Sequence, residues 1–301
     1  MDAALRDRRW YAFAAGGCVL FAGVLLSGCA SDAGAPEVSV APTTTPTAIA
    51  ASTPGAATSA IGATAGTASG ADSIAALATA PASVTAPRSR TPPAAARVVT
   101  RGDPSRRMVA LTFDAGADAG FTGEILDVLQ RAGVRATFGM TGLWAEHNRE
   151  LLLAIAAQGH QIINHTYDHA SFTGLSTEKP PLTAAERALE LSRTEVTVYH
   201  LTQRSTRPYF RPPYGDLDAS VERDAAANGY DTIVMWSVDT QGWKHASADA
   251  IVERGLAGAE PGAIYVMHVG AESQDAVALP RLIDGLRAQG YAFGTVDELL
   301  R

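Results

Sequence analysis

The stretch that decides the fold runs Ala156-Ala157-Gln158-Gly159-His160-Gln161-Ile162-Ile163-Asn164-His165-Thr166-Tyr167-Asp168-His169. It reads as the end of an amphipathic helix, a glycine stop, a short apolar strand, and two histidines four residues apart. Glycine accepts the left-handed backbone that ends a helix before a strand. The same signal recurs at Ala132-Gly133-Val134, Asn228-Gly229-Tyr230 and Gln289-Gly290-Tyr291. Histidines at i and i+4 share one face of a helical turn, which predicts that His165 and His169 grip one metal ion.

Working outward, the same alternation continues. Strands are expected at Met108–Phe113, Ala136–Met140, Gln161–Asn164, Tyr209–Arg211, Thr232–Trp236, Ala263–Met267 and Tyr291–Val296. Amphipathic helices are expected between them, at Thr122–Arg131, Glu150–Gln158, Thr183–Thr202, Ala219–Asn228, Ala248–Gly258 and Ala276–Gln289. Thr183 and Glu186 form a capping-box pair at the head of the third. Repeated β/α units imply a parallel sheet, either a barrel or a doubly wound sheet, and the spread of polar residues over many strand ends favours the barrel.

Upstream the chain is different in kind. Arg6, Arg8 and Arg9 precede an apolar run from Tyr11 to Leu26 that ends Leu26-Ser27-Gly28-Cys29. A basic region, a short apolar run and small residues describe an export signal over residues 1–28. The ending resembles a bacterial lipobox, which implies acylation of Cys29. Residues 29–104 are rich in Ala, Thr, Pro and Ser, with no aromatic between Phe21 and Phe113. Such a segment buries too little apolar surface to offset its chain entropy and is expected to be a disordered tether. The folded domain is expected at 105–301. Both cysteines, Cys18 and Cys29, precede it, so no disulfide or cysteine metal site is expected there. Its 17 Lys plus Arg against 25 Asp plus Glu give a net charge of −8, with no basic stripe, which argues against a nucleic-acid partner.

Polar residues suited to catalysis follow five of the expected strands. They are Thr112-Phe113-Asp114-Ala115-Gly116-Ala117-Asp118, the histidine pair, Arg211-Pro212-Pro213-Tyr214-Gly215, Trp236-Ser237-Val238-Asp239 with Gly242-Trp243, and Met267-His268. These blocks resemble the polysaccharide deacetylases of the nodulation-protein (NodB) homology type, carbohydrate esterase family 4, from Met108 to Arg301. The resemblance implies a distorted (β/α)7 barrel and metal-dependent removal of acetyl groups from N-acetylated or O-acetylated sugars. It implies Asp114 as general base, His165 and His169 as metal ligands, and Arg211 as the arginine that orients the base. Tyr214 then lends a backbone N–H to the oxyanion, Trp243 walls the acetyl methyl, and His268 is the general acid. Zinc is the expected metal, with cobalt or nickel as substitutes.

Two positions depart from the family pattern. Ala115 stands where the family has a metal-binding aspartate, and Gly242 replaces the aspartate before the tryptophan. One reading is relocation, with Asp118 as third ligand and Asp239 as partner of His268. The other is a degenerate site that binds glycan without cutting it. The expectation is an exported, membrane-anchored monomer facing the cell wall or periplasm and deacetylating peptidoglycan or an N-acetylglucosamine polymer. The rivals are a non-catalytic glycan-binding lipoprotein and an O-acetyl glycan esterase.

Overall fold

The computed structural model describes residues 93–116 and 118–301. The expected export signal, Cys29 and most of the expected tether therefore lie outside the described residues. Among the described residues no helix is long and apolar enough to cross a membrane.

In chain order the elements are β1 (Arg97–Val99), β2 (Met108–Ala115), α1 (Thr122–Ala132), β3 (Thr137–Met140), α2 (Gly142–His147), α3 (Arg149–Ala157) and β4 (Gln161–Asn164). Then come α4 (Ala184–Thr202), β5 (Tyr209–Phe210), α5 (Ala219–Ala227), β6 (Thr232–Val234), β7 (Val238–Asp239), α6 (Ala248–Ala257), β8 (Ile264–His268), α7 (Asp275–Ala288), β9 (Ala292–Phe293) and α8 (Val296–Leu299). The strands lie in the order β1-β6-β5-β4-β3-β2-β8-β7, with β9 pairing β2, and every strand pairing is parallel. β1 and β7 end the row without pairing each other, so the barrel is a curled sheet left open on one side.

Why β2 lies inside the sheet, between β3 and β8, follows from its sequence. Met-Val-Ala-Leu-Thr-Phe-Asp-Ala is buried from its second residue to its last, as a strand covered on both faces must be. Phe113 of β2 stacks on Phe138 of β3, with centroids 5.3 Å apart. The adjacent helix α1 turns Ile125, Leu126 and Leu129 into this core. Its end at Gly133, with φ 62°, is one of the four expected glycine stops; Gly159, Gly229 and Gly290 likewise have positive φ. The Thr183–Glu186 capping box is formed, with Thr183 N donating to Glu186 Oε2 at 2.7 Å and Glu186 N donating to Thr183 Oγ1 at 3.3 Å.

The structure corrects three expectations. First, β1 falls inside the stretch expected to be tether: Arg97, Val98 and Val99 pair with Thr232, Ile233 and Val234, so the folded part begins before Ser105. Three residues are too short a run to declare themselves, and their strand character comes from β6. Second, the short elements β7, α2 and α8 were not foreseen. Third, the segment after Asn164 is not helical. Thr166 and His169 both have positive φ, 67° and 66°, which breaks any helical turn between the two histidines.

Candidate active site

Asp114, the two histidines, Arg211 and His268 lie at the carboxyl ends of β2, β4, β5 and β8, where a parallel sheet opens its crevice. Asp114 of β2 lies in register with Gly139 of β3 on one side and His268 of β8 on the other. The closeness to β3 depends on glycine, because a Cβ at Gly139 would lie 2.4 Å from Asp114 Oδ1.

Arg211, at the end of β5, is fully buried and satisfied on every side. Its Nη1 donates to Asp114 Oδ1 and to Thr112 Oγ1, both at 2.8 Å, and its Nε donates to the Val234 carbonyl at 2.9 Å. Burial is the largest influence on the Asp114 pKa and would raise it, but the Arg211 charge and hydrogen bond together with the nearby His165 and His268 outweigh burial and hold the carboxyl below its usual range. Asp114 is therefore a carboxylate at neutral pH, oriented by its bond from Arg211 and kept ionised chiefly by that guanidinium with help from the neighbouring histidines.

His165 and His169 do come together, by a different route from a helix. Their ring centroids are 5.0 Å apart. The turn between them is held by side chains in place of a backbone ladder. Asn164 Oδ1 accepts from Thr166 N at 2.9 Å, and Glu190 Oε2 accepts from Tyr167 N and Asp168 N at 2.8 and 3.1 Å. These bonds over-determine a strained backbone, which costs on the order of 1–3 kcal/mol per such residue. His165 Nδ1 bonds the Arg211 carbonyl at 2.8 Å, leaving Nε2 3.9 Å from Asp114 Oδ2. Burial lowers the pKa of both rings, that of His169 to about 3, so both are neutral imidazoles.

Two neutral imidazoles, one with its Nδ1 already engaged, are a donor set that fits a borderline divalent cation such as Zn²⁺. Ala115, where a carboxylate ligand was missed in the sequence, is fully buried and offers only a methyl group. Asp118 sits exposed at the rim, where its Oδ1 accepts from Ala271 N at 3.2 Å. Among the described residues no three His, Cys, Asp or Glu side chains converge as a metal-ligand set, so the expected Asp118 relocation is not formed here.

Tyr214 is half exposed, with φ 61° and ψ −1°, and its ring meets His169 edge-on at 4.8 Å. This seats the Arg-Pro-Pro-Tyr-Gly loop against the histidine pair. Trp243 is also half exposed, in the short turn Gly242–Lys244. Its Nε1 is 3.4 Å from Asp239 Oδ2, while Gln241 N donates to Asp239 Oδ1 at 2.8 Å. Asp239 is thus occupied by its own turn. The carboxylate within 4.0 Å of the His268 ring is that of Asp275, which corrects the assignment of Asp239 as the partner.

Sequence reasoning missed Gly139, Asn164, Glu190 and Asp275. Gly139 carried a signal, since a lone glycine within a strand marks a close approach. Glu190 lay unremarked on the inner face of a helix, and nothing in its neighbours points to the histidine turn.

Comparison with known proteins agrees with this geometry. The polysaccharide deacetylase family profile matches residues 101–233. The chain is 34% identical over 199 residues to the peptidoglycan-N-acetylglucosamine deacetylase PgdA of Listeria monocytogenes, covering 65% of this chain and 39% of that protein's length. It is 32% identical over 200 residues to a peptidoglycan-N-acetylglucosamine deacetylase of Bacillus cereus, covering 65% of this chain and 90% of that one. A crystal structure described as a pseudoenzyme of carbohydrate esterase family 4, from Bacillus anthracis, superposes with a TM-score of 0.62 at 30% identity, over 70% of each chain. A mutant of that protein is described as having restored enzymatic activity.

Proposed function

Because the chain belongs to the polysaccharide deacetylase family, we propose that it is a metal-dependent deacetylase that hydrolyses acetyl groups from N-acetylated cell-envelope polysaccharide, with peptidoglycan as first choice. The observation that carries this reading is the buried Arg211–Asp114 pair in register with His268, beside two neutral histidines. The substrate follows from the names of the two relatives, and it also suits the export signal expected in residues 1–28.

Each side chain then has one task. A Zn²⁺ or similar cation held by His165 and His169 would supply Lewis acidity toward the acetyl carbonyl and toward water. Asp114 accepts the proton of the attacking water while Arg211 keeps its carboxylate ionised and aimed. The Tyr214 N–H donates to the oxygen that gains negative charge, and Trp243 walls the methyl group. His268 gives a proton to the nitrogen of the sugar amine as the C–N bond breaks, leaving acetate and a free amine. Asp118 is the proposed third ligand. Its exposed bond to Ala271 costs only about 1 kcal/mol to release.

A second reading is favoured by one observation, the buried methyl of Ala115, together with the pseudoenzyme description of the Bacillus anthracis neighbour. On that reading the chain binds glycan through the same crevice and cuts nothing. Both readings place the domain outside the cell membrane, tethered through Cys29.

The deciding experiment offers peptidoglycan and N-acetylglucosamine oligomers to the full chain, first with chelator and then with Zn²⁺, Co²⁺ or Ni²⁺. We expect acetate release that chelator abolishes and metal restores, and Zn²⁺ affinity that falls about 10- to 100-fold in Asp118→Ala. Glycan binding without acetate release under every metal would select the second reading. Unchanged Zn²⁺ affinity in Asp118→Ala would remove that residue from the ligand set.

A further inference from the structure

The surroundings of His268 contain a buried carboxylate whose bonding is incomplete. Asp275 is the first residue of α7 and is fully buried. Its Oδ2 accepts from the His268 backbone N–H and from Ser273 Oγ, both at 2.8 Å. Its Oδ1 has no partner, and neither has the His268 Nδ1, although both atoms are buried. Nδ1 and Oδ2 stand 4.0 Å apart, about an ångström beyond a hydrogen bond. A shift of the imidazole by about an ångström would bring Nδ1 into hydrogen-bond distance of this carboxylate.

The room for this carboxylate comes from Gly242. A Cβ at Gly242 would lie 2.4 Å from Asp275 Oδ2 and 2.3 Å from Ser273 Oγ. Any side chain at 242 and the present carboxylate at 275 therefore exclude each other. The space beside His268 holds one acidic group, which arrives from α7.

We propose that Asp275 is the positioning residue of His268. It accepts from the ring's Nδ1–H and so turns Nε2 toward the substrate, where the ring, once Nε2 also carries a proton, delivers that proton and returns to the Nδ1–H form. The proton-delivery consequence rests on the proposed deacetylase reading, while the pairing of the two side chains does not. The other titratable groups that face His268 are Asp114 from β2 and His165 and His169 from the turn after β4. None of these comes within ion-pair distance of the His268 ring, whereas Asp275 does.

The test combines a spectroscopic and a kinetic readout on the full chain. In protein labelled with ¹⁵N-histidine, the His268 ring, assigned by its loss in His268→Gln, should show Nδ1–H. In Asp275→Asn, which keeps the size of the side chain, that preference should disappear. The kcat for acetate release should fall on the order of 10- to 100-fold with little change in KM. Adding Gly242→Asp to Asp275→Ala should recover at least about tenfold of the activity that Asp275→Ala loses. An unchanged tautomer in Asp275→Asn, or a folded double variant no better than Asp275→Ala, would overturn the proposal. Should the unaltered chain release no acetate, the deacetylase reading fails and the tautomer alone decides the pairing. Should Asp275→Ala not fold, Asp275→Asn carries the test.

Discussion

The two halves of the site are built on opposite terms. Beside Asp114 the guanidinium is fully engaged: Arg211 is fully buried and bonds the Asp114 carboxylate, Thr112 and the Val234 carbonyl at 2.8–2.9 Å. Around His268 the polar groups are incomplete, with Nδ1 and the Asp275 Oδ1 both lacking partners. The His268 side chain is 29% exposed where that of Asp114 is 6% exposed. The first half is part of the core and supports the fold as well as the chemistry. The second half joins a partly exposed ring to a buried carboxylate without a hydrogen bond between them. Mutations should therefore cost stability in one half and turnover in both.

The largest effect is expected from Arg211→Met, which keeps the apolar volume and removes the charge. Asp114 would then be a buried carboxylate without its cation, and breaking a buried pair from one side costs about 3–5 kcal/mol. Urea unfolding should show this loss, with acetate release absent. The sign of the accompanying pH effect is fixed by the depressed Asp114 pKa. Stability from this group is complete above the ordinary carboxylate value and is lost as pH falls through the lower folded value. In Arg211→Met burial is no longer opposed by that cation, the folded pKa rises above the unfolded one, and stability from this group is regained as pH falls through it. An Arg211→Met protein as stable as the parent would end the contrast between the halves.

Gly139→Ala should come second. The added methyl would lie 2.4 Å from Asp114 Oδ1, so either the carboxylate leaves Arg211 or β3 moves away from β2. Overpacking of this kind costs about 1–3 kcal/mol. A value below that range would show that β3 yields more easily than the tight core implies.

Much of this is legible in the sequence. The four Gln/Ala/Asn-Gly stops, the Thr183–Glu186 cap and the β4 boundaries are local signals, and each appears where the sequence put it. Asp114, Arg211, His165, His169 and His268 were found because chemistry-bearing residues closed successive apolar strands. The pieces that stayed hidden depend on tertiary partners. β1 becomes a strand only against β6, and the turn carrying His169 is held by Glu190 from a helix 22 residues beyond Asp168. Asp275 was passed over for Asp239 because sequence distance to Gly242 was the only guide, whereas α7 delivers its carboxylate from the far side. A vacated position shows what is missing; only the packing shows what has filled it.

The smallest stability change is expected from His268→Ala, and it is also the sharpest test of the contrast. The ring makes no side-chain hydrogen bond, and the Asp275 Oδ2 would keep both its present donors, the backbone N–H at 268 and Ser273 Oγ. Removing a partly exposed ring with no bond to lose should shift unfolding by no more than about 1 kcal/mol. Turnover should nevertheless fall by about 10²–10⁴, the usual contribution of a positioned acid. A stability loss as large as that of Arg211→Met would mean that this half is core after all, with the His268–Asp275 pair already closed before any substrate arrives.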